Sequence, residues 1–237
     1  MPEFLRNGPV FPNKELQLDT RLKPIHFKRT VDDESILTAF PIYHPDEIPL
    51  ELLKFMWKEF NKEIEGGLTY PQFDQLSFKE YKDYWFHSFT CIVLETSETN
   101  IKSEKFEQEK NWDRIFCGSF YIKPNYLGHC SHNCNAGFFV PPWRRKQKIA
   151  YRMGQIYLKW APLLGYTYSV FNLVFVSNVG SVKIWDKLEF NRIGYVPNVG
   201  KIGGKTENTV KSTDAIIFGK NLTDLNTPSI FADFVEV

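Results

Sequence analysis

Residues 135–176 constrain the fold more than any other part of the chain. The run 135-NAGFFV-140 has the apolar character of a strand. In 148-KIAYRMGQIYLKWAPLLGY-166, residues Ile149, Met153, Ile156, Tyr157, Trp160 and Leu164 recur mostly at spacings of three and four, which places them on one face of a helix. The segment 166-YTYSVFNLVFV-176 is a second strand with an apolar end. Strand, long helix and strand in that order make a crossover, and a crossover connects parallel strands of one sheet.

The surrounding pattern is compatible with that unit. A strand is expected at 36–43, an amphipathic helix at 47–67 carrying Leu50, Leu53, Met56, Trp57 and Phe60 and stopped by Gly66-Gly67, and a second helix at 77–86 capped by Ser77. Strands follow at 88–95 and 114–122, separated by the polar, charged segment 96–112, which reads as a solvated loop. After the crossover, Asn178 can cap a helix over 179–190. Strands at 191–196 and 214–220 then flank a Gly/Lys-rich loop at 199–213. The expectation is one mixed α/β (α+β) domain over 35–220, its central sheet mostly antiparallel and flanked by helices. An arm or edge strand over 1–34 precedes it and a tail over 221–237 follows it.

Charge and composition remove several function classes. With a net charge of +1, no general attraction to nucleic acid or an anionic membrane follows. No apolar stretch approaches the roughly 20 residues that span a bilayer. The N-terminus lacks the basic start and apolar run of a signal peptide, and four cysteines in 237 residues do not describe a disulfide scaffold. A cytoplasmic protein with free thiols is expected, or one with an additional mitochondrial pool.

The run 128-GHCSHNCNAGFFV-140 packs His129, Cys130, His132 and Cys134 together. A structural zinc site draws four converging ligands, normally as two pairs from separate segments, and no second pair exists here. Cys91 and Cys117 lie singly within apolar strands. No metal is expected, and the run reads as a turn feeding the strand at Asn135.

The next segment, 140-VPPWRRKQKIA-150, sets Arg144, Arg145, Lys146 and Lys148 before a helix N-terminus, whose free N–H groups and partial positive charge attract phosphate. Arg145 and Ala150 fit the ends of the loop Arg/Gln-x-x-Gly-x-Gly/Ala, with Lys148 in place of the first glycine. Downstream, Asn178, Ser181 and 184-IWDKLEF-190 fit a second motif. In these residues and in the element order the chain resembles the GNAT superfamily of acetyl-CoA-dependent N-acyltransferases. The resemblance implies acetyl-CoA as cosubstrate. It would be held by the strand end Phe138, Phe139 and Val140, by the loop Arg145, Lys146, Gln147, Lys148, Ile149 and Ala150, and by Asn178 and Trp185. Trp185 stands where the superfamily often has a tyrosine that protonates the leaving thiolate; an indole does not perform that role.

The blocks 84-YWFHSF-89, 120-FYIKPNY-126, 131-SHNCNAGF-138, 160-WAPLLGY-166, 171-FNLVFV-176 and 184-IWDKL-188 resemble the yeast branch of the superfamily that acetylates the proline analogue L-azetidine-2-carboxylate. That resemblance implies a small cyclic imino acid as acceptor, a homodimer, and an acceptor site of Asn135, Asn172, Leu173 and Asn178, with Asn135 and Asn172 closest to the chemistry. Read from the residues alone, Asn172 interrupts the apolar run Val170–Val176 on the face of Val170 and Val174. An unpaired buried amide costs about 1–3 kcal/mol, so a backbone group or a ligand must satisfy it. Asn178 also serves as a helix cap and Asn135 as a turn residue. No Asp, Glu or His in the motifs is an evident base; His132 is the one nearby. The alternatives are an acetyltransferase for another amine, and a CoA-binding sensor that binds without turnover.

Overall fold

The computed structural model describes residues 8–12, 21–203, 209–224 and 228–237. Its strands are β1 (Ile25–Lys28), β2 (Leu37–Ile42), β3 (Phe89–Glu95), β4 (Phe116–Pro124), β5 (Asn133–Phe139), β6 (Tyr168–Phe175), β7 (Asn191–Ile202), β8 (Lys211–Asn221) and β9 (Val235–Glu236). Its helices are α1 (Leu50–Gly66), α2 (Phe78–Trp85), the single turns α3 (Glu104–Glu107) and α4 (Trp112–Ile115), α5 (Ile149–Leu163), α6 (Val179–Lys187) and the short α7 (Pro228–Phe231). The strands make one sheet in the order β7-β8-β6-β5-β4-β3-β2-β1-β9. The β5–β6 pair is parallel and the other described pairs are antiparallel. This is the mixed, mostly antiparallel α/β architecture implied by the element order.

The middle of the sheet is buried on both faces, so its strands carry near-continuous apolar runs. Leu37, Ala39, Cys91, Val93, Phe120 and Ile122 face α5, packing with Met153, Ile156, Tyr157 and Trp160. Phe40, Ile42, Ile92, Leu94 and Tyr121 face α1 and α2, against Leu52, Met56, Phe60, Tyr81 and Trp85. The α1 stripe is rotated from the expected one: Leu52 and Ile64 are buried, whereas Leu50 is exposed. α1 stops at Gly67, whose φ of 63° suits glycine and whose N–H reaches the Ile64 carbonyl at 3.0 Å. Ser77 caps α2 in a reciprocal capping box with Glu80.

Three segments differ from expectation. Within 96–112, Ile101, Phe106 and Trp112 are buried, so the segment is anchored in the core on the α1 face. β7 continues to Ile202 and β8 starts at Lys211, so strand pairing runs well into the expected loop; residues 204–208 lie outside the described residues. The first 34 residues contribute β1 and the last 17 contribute α7 and β9, with β1 lying between β2 and β9 in the common sheet.

The functional geometry begins where the sheet comes apart. β5 and β6 pair only at Asn133↔Tyr168 and Cys134↔Ser169, then diverge, while β6 stays with β8 through a bulge between Phe171 and Val174. The Trp185 indole, from α6, wedges into the fork, 4.9 Å from the Phe138 ring and 4.5 Å from the Phe171 ring. On the other side β5 is pressed against β4: a Cβ on Gly137 would lie 2.5 Å from the Tyr121 ring, which requires glycine there.

Candidate active site

Two adjoining chambers lie at the fork. The larger, about 560 Å³, runs from Phe138, Phe139 and Val140 to the first turn of α5. The smaller, about 340 Å³, lies between β4, β5 and β6. Thr69, Tyr70, Phe138, Asn178, Ser181 and Trp185 line both, so the two chambers adjoin along these residues.

The larger chamber ends at a helix start that no side chain caps among the described residues. The first helical bond there runs from the Arg152 N–H to the Lys148 carbonyl, so the N–H groups of Ile149, Ala150 and Tyr151 have no intrahelical acceptor. Lys146 and Lys148 both adopt left-handed backbone, at φ 62° and 61°. Lys148 therefore holds the conformation that glycine takes most easily, and the loop keeps its path without glycine. The basic residues divide by role. Arg144 is structural: it pairs with Glu95 at 2.6 Å and donates to the Arg114 carbonyl. Arg145 donates to the Val140 carbonyl at 3.1 Å and to Glu63 at 2.5 Å. Arg144 and Arg145 line the chamber together with Lys146, Lys148, Ile149 and Ala150. Gln147 does not; its amide donates to the Trp143 carbonyl and accepts from Arg29.

Opposite that loop, Tyr70 donates to the Phe138 carbonyl at 2.8 Å. In an extended strand a residue's N–H and C=O point the same way, so the Phe138 N–H also faces the fork and not β4. Burial pushes the Tyr70 hydroxyl well above the ordinary phenol pKa, with the neighbouring tyrosines adding to the shift. It remains a neutral donor.

Three asparagines reach the smaller chamber, each differently held. Asn135 lies opposite Lys123 in the β4–β5 register, and its amide has no hydrogen-bond partner among the described residues. Asn172 sits in the β6 bulge. The simple alternation that put it on the face of Val170 and Val174 is broken there, and it is half-buried. Its partner is another side chain, Asn125: Asn125 Nδ2 donates to Asn172 Oδ1 at 3.2 Å, and Asn172 Nδ2 donates back at 2.5 Å. Leu173, beside it in the bulge, is exposed and lines the chamber. Asn178 caps α6 through its Oδ1, which accepts the Ser181 N–H at 3.2 Å. Its Nδ2 has no protein partner among the described residues. Trp185 is buried, and its Nε1 donates to Ser181 Oγ at 2.9 Å.

Sequence reasoning passed over Lys123, Asn125, Tyr70, Tyr84 and Tyr121. The Lys123 ammonium lies over the rings of Tyr84 (4.7 Å) and Tyr121 (4.8 Å), and burial pulls its pKa below the usual lysine value. Burial holds Tyr121 well above the phenol value, assisted by Tyr84. Among the described residues lining the smaller chamber there is no carboxylate and no imidazole. His132, the nearby candidate base, lines neither chamber.

The Cys/His run does not converge. His129 and Cys130 are exposed, and the His129 ring stacks on Phe11 at 5.6 Å. Cys134 is buried 3.1 Å from the Tyr157 hydroxyl, with its thiol pKa pushed up to about 12 by burial. Among the described residues no group of three or more His, Cys, Asp and Glu could hold a metal ion. The run leads the chain into β5 and so brings Asn135 to the fork.

No protein-family model matches the chain. The N-acetyltransferase aca1 of Schizosaccharomyces pombe is 40% identical over 156 residues, covering 65% of this chain and 74% of that protein. Protein SPT10 of Saccharomyces cerevisiae is 30% identical over 255 aligned residues, which take in 93% of this chain but only 39% of SPT10. Among solved structures, a GCN5-related N-acetyltransferase from Kribbella flavida superposes with a TM-score of 0.59 at 20% identity, covering 77% of this chain and 97% of that one. A GNAT superfamily phosphinothricin acetyltransferase from Sinorhizobium meliloti, solved in complex with AcCoA, superposes with a TM-score of 0.57 at 11% identity, over 77% of this chain and 88% of that one. The forked sheet, the uncapped start of α5 and the identity to aca1 converge: the chain belongs to the GNAT family of N-acetyltransferases.

Proposed function

We propose that the chain moves an acetyl group from acetyl-CoA to the ring nitrogen of a small cyclic imino acid of the L-azetidine-2-carboxylate type. The larger chamber suits the cosubstrate. The bare first turn of α5, flanked by Lys146 and Lys148, offers N–H donors and positive charge to phosphate, and Phe138–Val140 offer strand backbone beside it. When bound, acetyl-CoA supplies a thioester that a free amine attacks directly, forming the C–N bond as the C–S bond breaks.

The protein's share of the work is placement and polarity. The Phe138 N–H faces the fork, where it can stabilise charge developing on the acetyl oxygen; losing a comparable donor costs roughly 10²–10³ in rate. Asn135, with its amide unengaged, orients the amine, while Asn172 and the Nδ2 of Asn178 orient the carboxylate. Holding the reactants in line provides much of the acceleration. With no carboxylate or imidazole lining the smaller chamber, the ammonium proton leaves to water or to the acceptor's own carboxylate.

The observation that carries the acceptor class is the charge of the smaller chamber. Among the described residues its ionisable groups are one lysine and tyrosines, without any Asp or Glu. That balance favours an amine that also bears a negative group and disfavours a polyamine. Thiol release from acetyl-CoA, measured over a panel of imino acids, polyamines and amino sugars, tests the assignment. Turnover is expected with the imino acids, and Asn172→Ala should abolish it without unfolding the protein. Turnover confined to polyamines or amino sugars, or near-normal activity in Asn172→Ala, would refute it.

A further inference from the structure

We infer that Lys123 is the residue that selects acceptors carrying a carboxylate next to the reacting nitrogen. The inference rests on the smaller chamber being the amine site proposed above. Lys123 lies near the end of β4, opposite Asn135 in the strand register, so its side chain and that of Asn135 leave the sheet as neighbours. It lines the chamber together with Asn172 and Asn178.

Its setting is that of a cation without a counter-charge. Lys220, the other lysine whose pKa is lowered by burial, donates to the Glu189 carbonyl at 3.1 Å. The Lys123 ammonium makes no hydrogen bond and no ion pair among the described residues. It rests on the faces of Tyr84 and Tyr121, whose hydroxyls lie 3.1 Å apart. Aromatic faces stabilise a cation but leave its three N–H donors unengaged. Burial without an anion explains why its pKa is drawn down, and a carboxylate bound beside it restores the protonated form.

The amides cannot make this selection. Asn135, Asn172 and Asn178 donate and accept hydrogen bonds but carry no charge, so they serve a carboxamide about as well as a carboxylate. Lys123 distinguishes the two, because only the carboxylate satisfies a half-buried ammonium.

The test compares L-azetidine-2-carboxylate with its carboxamide as acceptors for the purified full chain, by thiol release. The unaltered protein should favour the acid in kcat/KM. In Lys123→Met that preference should shrink by about 30- to 5,000-fold, the range expected when one partner of a buried charge pair is removed. The change should lie mainly in the KM for the acid, and Lys123→Arg should restore part of the preference. A thermal unfolding scan checks that each variant is folded; should the methionine variant fail, Lys123→Gln is measured in its place. An unchanged acid-to-carboxamide ratio overturns the inference, as does an equal loss of kcat on both compounds, which would make Lys123 a proton acceptor instead. Turnover of neither compound by the unaltered protein refutes the amine-site assignment, and the inference falls with it.

Discussion

Asn172 is held by a residue 47 positions earlier in the chain, and its proposed role depends on that partner. The two reciprocal bonds with Asn125 fix the plane of the Asn172 amide and leave one donor and one acceptor site of each group for other partners. Asn125→Ala should lower stability by about 1–2 kcal/mol, near 1 kcal/mol for each lost bond. With Asn172 in the proposed acceptor-orienting role, it should also cut kcat/KM for the acceptor by about 10- to 100-fold, because a freely rotating amide would misplace the substrate. Urea unfolding and steady-state rates check the two numbers; a full stability loss with unchanged kcat/KM would make the pair purely structural. The sequence marks Asn172 as out of place in an apolar run, and that much is readable without coordinates. Its exposure and its partner are not. A bulge between Phe171 and Val174 breaks the alternation, and nothing local links Asn125 to Asn172. Lys123 was missed for a related reason: one lysine near a strand end is ordinary until Tyr84, from a different element, is known to lie beneath it.

At the scale of elements, α5 was readable from periodicity, and its exposed N-terminal donors follow from the absence of a Ser, Thr, Asp or Asn before Ile149. The left-handed lysine at its start was not readable. A lysine at a glycine position suggests a different loop path, yet the backbone keeps the φ of 61° and accepts the strain. A left-handed non-glycine residue costs about 1–2 kcal/mol, offset in part by the entropy glycine would lose on folding. Lys148→Gly should therefore stabilise the protein by about 1 kcal/mol, roughly 2–4 °C in Tm for a chain of this size. Differential scanning calorimetry decides it, and a lower Tm would show that the lysine side chain holds the loop in some other way. The same kind of local absorption hid the length of β7. The expected strand ends at Val196, but β7 takes up Pro197, Asn198 and Val199 as an irregularity between Val196 and Gly200, with Asn198 left-handed and its N–H on Asp214 at 2.7 Å. In 96–112 the polar majority concealed Ile101, Phe106 and Trp112, which reach the core at no regular spacing.

β1 and β9 finish one edge of the sheet and brace the helix whose first turn lines the larger chamber. β1 lies between β2 and β9, and β9 has only two residues, too few for any pattern to announce it. What holds this edge is a buried guanidinium. Arg152, on α5, donates to the Arg29 carbonyl after β1 at 2.8 and 3.0 Å, and to Asp233 before β9 at 3.0 Å. Arg29 in turn pairs with Asp33 at 2.5 Å. Both carboxylates are held below their ordinary values. The hydrogen bond and charge of Arg29 lower Asp33 to about 2; burial opposes ionisation of Asp233, but its hydrogen bond from Gln155 and the charges of Arg152 and Lys187 prevail. A carboxylate with a depressed folded pKa contributes stability that is complete above its unfolded value, about 4, and is lost as the pH falls through the folded value. The β1–β9 edge should accordingly weaken in acid. Native-state hydrogen exchange or urea unfolding should show stability declining between about pH 4 and pH 2, and Asp33→Asn, which cannot titrate, should be less stable at pH 6 but decline less over that interval. A variant whose acid loss matches that of the unaltered protein would shift the acid sensitivity away from the Arg29–Asp33 pair to other carboxylates of the chain.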